Sequence, residues 1–147
     1  GGSPRVGVDR LVILVDDVLT LRMLTNGALV VDDDDVATTC GWWWRLASAM
    51  HGSRGGFLSR RVARQPAPAR HAIHRAIDYL PERFGIVDLR RLLPAMGPLA
   101  GEHGLNFLAA EALTAATILG ADIVVGQDTP RLREAARVQG ITYLVEA

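Results

Sequence analysis

Asn106-Phe-Leu-Ala-Ala-Glu-Ala-Leu-Thr-Ala-Ala-Thr-Ile-Leu119 is followed by Gly120-Ala-Asp-Ile-Val-Val125 and Gly126-Gln-Asp-Thr-Pro130. The first segment is apolar almost all round. Its polar residues Glu111, Thr114 and Thr117 recur at i, i+3 and i+6, along one edge of a helix. A helix this apolar is buried by neighbours on several sides, and Gly120 suits the left-handed position that ends it. Ile123-Val124-Val125 is a short unbroken apolar run, the pattern of a strand covered on both faces. Thr129 and Pro130 then open another helix, as cap and first-turn residue. Asp128 is therefore expected just past the carboxyl end of a buried strand, where open α/β sheets hold ligands. Glu111, on a greasy helix leading into the same sheet, is costly to bury unless paired or bound to a cation.

Working outward, Leu11–Val15 reads as a second buried strand with Asp16-Asp17 at its carboxyl end, and Val18–Thr25 as a helix closed by Asn26-Gly27. Leu29–Val31 leads into Asp32–Asp35, a run of like charges that reads as a solvated loop. Val36–Thr39 is a third strand, and Trp42–Met50 a helix. Successive helical residues point about 100° apart, so the three tryptophans cannot share one face. Some should pack in the core, leaving another to stack on a base or cover a partner. Ser53–Arg64, rich in Gly and Arg, reads as a loop. Ala69–Leu80 is a helix carrying His71 and His74, and Ile86-Val87 is a strand. Asp88 should cap a helix starting at Leu89, with Pro94 and Pro98 bending or interrupting the region before Gly104. Helix Pro130–Val138 and strand Ile141–Val145 close the chain. Strands alternating with helices argue for a single domain over 1–147, a three-layer α/β/α sandwich with a mostly parallel central sheet.

The 147 residues, 49% apolar, are enough for one core. No apolar run is long enough to span a membrane. Gly1-Gly2-Ser3-Pro4 reads as a cloning scar with no secretion leader, and a lone Cys40 suits a reducing cytoplasm. The chain has no lysine, and its 16 basic residues are all arginine. Charge is uneven. Residues 45–91 hold ten arginines against three acids (+7), residues 1–44 carry −4 and residues 92–147 carry −3. That division suggests a basic rim beside an acidic pocket, suited to a polyanion near a metal ion. Right-handed crossovers put the strands' carboxyl ends on one edge. There Asp16, Glu111 and Asp128 are expected to converge as ligands for a hard ion, Mg²⁺ or Mn²⁺. Each also has a bland reading, as a helix cap or a surface residue.

Val15-Asp16 after an apolar first strand, Glu111-Ala-Leu-Thr-Ala-Ala116, Ala121–Asp128 and the ending Leu132–Val145 together resemble the PIN domain, the fold of VapC-type toxins and RNA-processing nucleases. The resemblance implies a metal-dependent endoribonuclease whose acidic cluster binds one or two Mg²⁺ or Mn²⁺ ions. It further implies a toxin blocked by a separate antitoxin protein, with RNA as substrate; a homodimer is also compatible. Asp16 would take the first acidic position, Glu111 the third and Asp128 the last. One departure stands out: Arg45 falls where the family carries a glutamate. A guanidinium there would replace a metal ion's charge beside Asp16 or Asp128, or face the RNA phosphate. The alternative is then a catalytically silent PIN-like domain that binds RNA or a protein partner. Arg45, Arg54, Arg60, Arg61 and Arg64 are the expected substrate-binding residues.

Overall fold

A computed structural model of the protein describes residues 12–26, 35–52 and 56–146. Within them the strands are β1 (Val12–Val15), β2 (Asp35–Thr39), β3 (Phe84–Val87), β4 (Asp122–Val125) and β5 (Tyr143–Val145). The helices are α1 (Asp17–Asn26), α2 (Cys40–His51), α3 (Phe57–Ala63), α4 (Ala67–Asp78), α5 (Leu89–His103), α6 (Phe107–Leu119) and α7 (Pro130–Val138). The five strands form one sheet in the order β3-β2-β1-β4-β5, every pair parallel. The expected three-layer α/β/α sandwich is the observed architecture.

Alternation along the strands builds the layers. Leu14, Ala37, Ile123 and Val125 pack into the core that holds α6 and parts of α5 and α7. Ile13, Val15 and Val124 point the other way, against Leu19 and Met23 of α1. A further cluster on that side joins Leu21, Leu46, Leu58, Val62, Ile73 and Ile77, binding α1 to α4 into an outer layer. The order reverses between β1 and β4, because β2 and β3 extend the sheet to one side and β4 and β5 to the other. That reversal opens the crevice where such sheets take ligands.

The elements of 106–138 fold as read, though among the described residues the Thr129 side chain makes no capping hydrogen bond to α7. Asn106 caps α6 by accepting from the Ala109 amide at 3.0 Å, and Gly120 ends the helix with φ 62°. Two expectations fail. Residues 57–63 are helical, because Leu58 and Val62, four apart, bury one face against the outer layer. Helix α5 also runs unbroken through Pro94 and Pro98. Both prolines lie on its exposed face, where water can satisfy the carbonyls they leave unbonded, while Leu92 and Met96 hold the opposite face in the core. The Leu29–Val31 segment and Asp32–Asp34 lie outside the described residues. Asp35 is the first residue of β2.

Candidate functional site

Asp16 ends β1 and is almost fully buried. Its carboxylate accepts from the Leu19 amide at 2.9 Å, which starts α1. It also accepts from the Gly126 amide at 3.0 and 3.1 Å and the Gln127 amide at 3.2 Å, across the reversal point. Gly126 allows this approach: a Cβ there would meet Val18 Cγ1 at 2.6 Å. Burial pushes the Asp16 carboxyl up to about 6, against the pull of these amides. Asp16 thus clasps the exits of β1 and β4 together.

Glu111 is 0% exposed in the middle of α6. Its Oε1 accepts from the Gly41 amide, in the first turn of α2, at 2.9 Å. There the helix dipole favours negative charge. A Cβ on Gly41 would lie 2.5 Å from that oxygen and 2.8 Å from Leu108 Cδ2, so only glycine lets the two helices meet this closely. Oε2 is buried without a hydrogen-bond partner among the described residues. Burial raises the Glu111 pKa, opposed by the Gly41 amide first, then the Thr39 hydroxyl and Cys40 amide.

Asp128 lies after β4, as expected, and its carboxylate is held by partners on β5 and α7. Tyr143 donates its hydroxyl to Oδ1 at 3.0 Å, and Arg133 of α7 pairs with Oδ2. Burial pushes the Tyr143 hydroxyl up to about 12, with the Asp128 bond adding to it and the Thr129 amide opposing. Asp16, Glu111 and Asp128 therefore make three separate sets of contacts. Among the described residues no group of three or more His, Cys, Asp or Glu side chains is placed to hold a metal ion. The donors are hard oxygens of the kind Mg²⁺ or Mn²⁺ prefers. As arranged, however, amide N–H groups occupy both oxygens of Asp16, and the set does not fit one shared ion.

Arg45 does meet an acid of this edge, and that acid is Asp17 rather than Asp16 or Asp128. Its Nε lies 3.5 Å from Asp17 Oδ2, long for a charge-assisted hydrogen bond. Burial raises the Asp17 pKa, with Arg45 as the largest opposing influence. Asp17 was legible only as a helix-capping neighbour of Asp16. Consecutive residues leaving a strand point to different sides, so one acid turns inward to the clasp and the next outward to the arginine. Asp17 and Arg45 line a cleft of about 490 Å³ with Trp44, Ser48, Ser59 and Gln127.

The neighbouring tryptophans divide as their spacing requires. Trp42 is buried at 6% exposure, and Trp43 is half-buried with its Nε1 donating to the Ile77 carbonyl at 2.6 Å. Trp44 stands out at 68% exposed. Thr39 caps α2 by accepting from the Trp42 amide at 3.1 Å, which fixes this phase. Of the other expected arginines, Arg60, Arg61 and Arg64 line a cleft of about 410 Å³ with Gln65. Arg54 lies outside the described residues. No helix among the described residues is long and apolar enough to cross a membrane. The chain matches no family model, and no curated protein matches its sequence.

Proposed function

We propose that this chain is a PIN-like domain that binds single-stranded RNA across the carboxyl ends of β1 and β4, with Arg45 standing where a metal ion's charge would be. The observation that carries this reading is the Arg45–Asp17 pair on the wall of the large cleft beside the reversal point. A guanidinium there offers planar, fixed donors to a phosphate, and Ser48, Ser59 and Gln127 around it supply further hydrogen-bonding groups. Arg60, Arg61 and Arg64 line a second cleft with further cations for a phosphate backbone. If about four phosphates are neutralised, a slope near −0.7 per phosphate gives ~50-fold weaker binding between about 50 and 200 mM salt.

A second reading, the Mg²⁺- or Mn²⁺-dependent ribonuclease with an antitoxin partner, is favoured by a different observation. Asp16, Asp17 and Glu111 are all buried acids at this edge with raised pKa values, and Glu111 Oε2 has no partner among the described residues. A bound cation would offset the burial that raises them. That reading requires Glu111 and Asp128 to leave their present contacts.

One set of measurements separates the two. Fluorescence anisotropy with a labelled RNA 20-mer should show salt-sensitive binding, and the RNA should stay intact in Mn²⁺. Calorimetry should show tighter Mn²⁺ binding by Arg45→Glu than by the wild type. Salt-insensitive or absent RNA binding would sink the proposal. Cleavage by the wild type that Asp128→Asn abolishes would establish the ribonuclease instead.

A further inference from the structure

Beside the polar cleft lies an apolar one of about 390 Å³, lined by Cys40, Gly41, Trp44, Arg45, Phe107 and Leu108. Trp44 and Arg45 line both. Trp44 and Phe107 are 68% and 50% exposed, well outside the range of core aromatics. Gly41 makes the floor possible, because a Cβ there would press on Phe107 Cε2 at 3.1 Å and Leu108 Cδ2 at 2.8 Å. Without that side chain, the first turn of α2 lies flat against the start of α6.

We infer that this apolar cleft is a nucleobase-stacking site, taking one base of a single-stranded RNA between Trp44 and Phe107 while Arg45 holds an adjoining phosphate in the polar cleft. The inference rests on the RNA-binding reading above and adds how a nucleotide sits. A base and its phosphate are joined through one sugar. A stacking wall and a cation on consecutive residues, each facing both an apolar and a polar cleft, match that connection. Exposed aromatics beside a basic groove are how sequence-tolerant binders hold single strands.

Two polar groups of the cleft are already engaged. The Gly41 amide donates to Glu111, and the Cys40 thiol donates to the Val87 carbonyl at 3.5 Å. The remaining walls are mostly apolar side chains, which meet the face of a base rather than its hydrogen-bonding edge. Discrimination should therefore follow stacking strength, with purines held more tightly than pyrimidines.

The test is anisotropy with labelled oligoadenylate and oligouridylate 10-mers on the full chain. Wild type should bind oligoadenylate more tightly. Trp44→Ala should weaken it roughly tenfold or more and erase the difference between the two RNAs. Trp44→Phe should restore most of the loss, and Phe107→Ala should give a smaller one. Thermal unfolding of Trp44→Ala should match wild type, because the side chain is exposed. If Trp44→Ala binds both RNAs as wild type does, with the same salt slope, the stacking site is wrong while the RNA-binding reading stands. If no RNA binds at low salt, both fall. Sedimentation provides a further check: loss of a dimer in Trp44→Ala with RNA affinity unchanged would assign the face to a second copy and overturn the inference.

Discussion

Helices α2 and α6 meet at Gly41 and use their side chains in opposite ways. In α6 every residue from Ala109 to Ala116 is buried, a carboxylate included. In α2 only Gly41, Trp42 and Leu46 are buried, and the turn between them presents Trp44 and Arg45 outward. Both begin with a side-chain cap, Asn106 for α6 and Thr39 for α2. The difference is one of position. Helix α6 lies between the sheet and α5, with α7 beside it, so every face of its 109–116 stretch is covered. Helix α2 begins at the carboxyl edge and is covered on two sides only. The enclosed stretch 109–116 serves packing, whereas the edge, where α2 turns outward and Phe107 begins α6, retains side chains for a ligand.

The sharpest way to break this contrast is through the tryptophans. Trp42 belongs to the same core as Ala109–Ala116, so Trp42→Ala should cost about 4 kcal/mol in urea unfolding. Trp44→Ala should stay within about 0.5 kcal/mol. Equal losses would mean that α2 has no outward face.

The buried acids give the next largest effect, through pH. The folded pKa of Asp16 lies above its unfolded value, 3.8 rising to about 6, so the folded chain keeps a proton that the unfolded chain has already lost. That contribution to stability is fully present below about pH 4 and is lost as pH rises to about 6, amounting to ~3 kcal/mol. Asp17 and Glu111 are shifted in the same direction. Glu134, held down by Arg137, works in the opposite direction but is exposed. Urea unfolding should show lower stability at pH 7 than at pH 4.5, and Asp16→Asn should flatten the slope. Stability that rises over this window would contradict the burial of these acids.

The contact point itself comes last. Gly41→Ala should cost about 2 kcal/mol by forcing Glu111 and Leu108 aside. Pairing it with Glu111→Ala should recover part of the loss, because the two side chains compete for one space. Simple additivity in a double-mutant cycle would argue against that crowding.

The sheet and the helices around residues 106–138 were legible because long apolar runs, caps and a glycine stop agree with one another there. Helix α3 was not: its seven residues offer only one buried pair, Leu58 and Val62, between arginines and after two glycines. The prolines of α5 misled because a proline weakens a helix locally, while the tertiary packing of Leu92 and Met96 holds the turns around it. At the site, residue types were easier to read than partners. Asp16 was placed at the strand end, yet its partners are backbone amides of Gly126 and Gln127, and every residue but proline carries such a donor. Likewise, an arginine at position 45 could be expected near acids, but the choice between Asp16 and Asp17 depends on the turn from strand to helix.

The Asp16 clasp also bears on how the chain is made. Asp16 and Gly126 are 110 residues apart, and β1, near the start, occupies the centre of the sheet. During synthesis at about 5–20 residues per second, β1 would leave the ribosome ~5–20 s before β4 exists to pair with it. Until then one edge of an apolar strand stays open to strangers, and contacts this distant in sequence form slowly. Whatever shields the nascent chain in that interval has β1 to cover first.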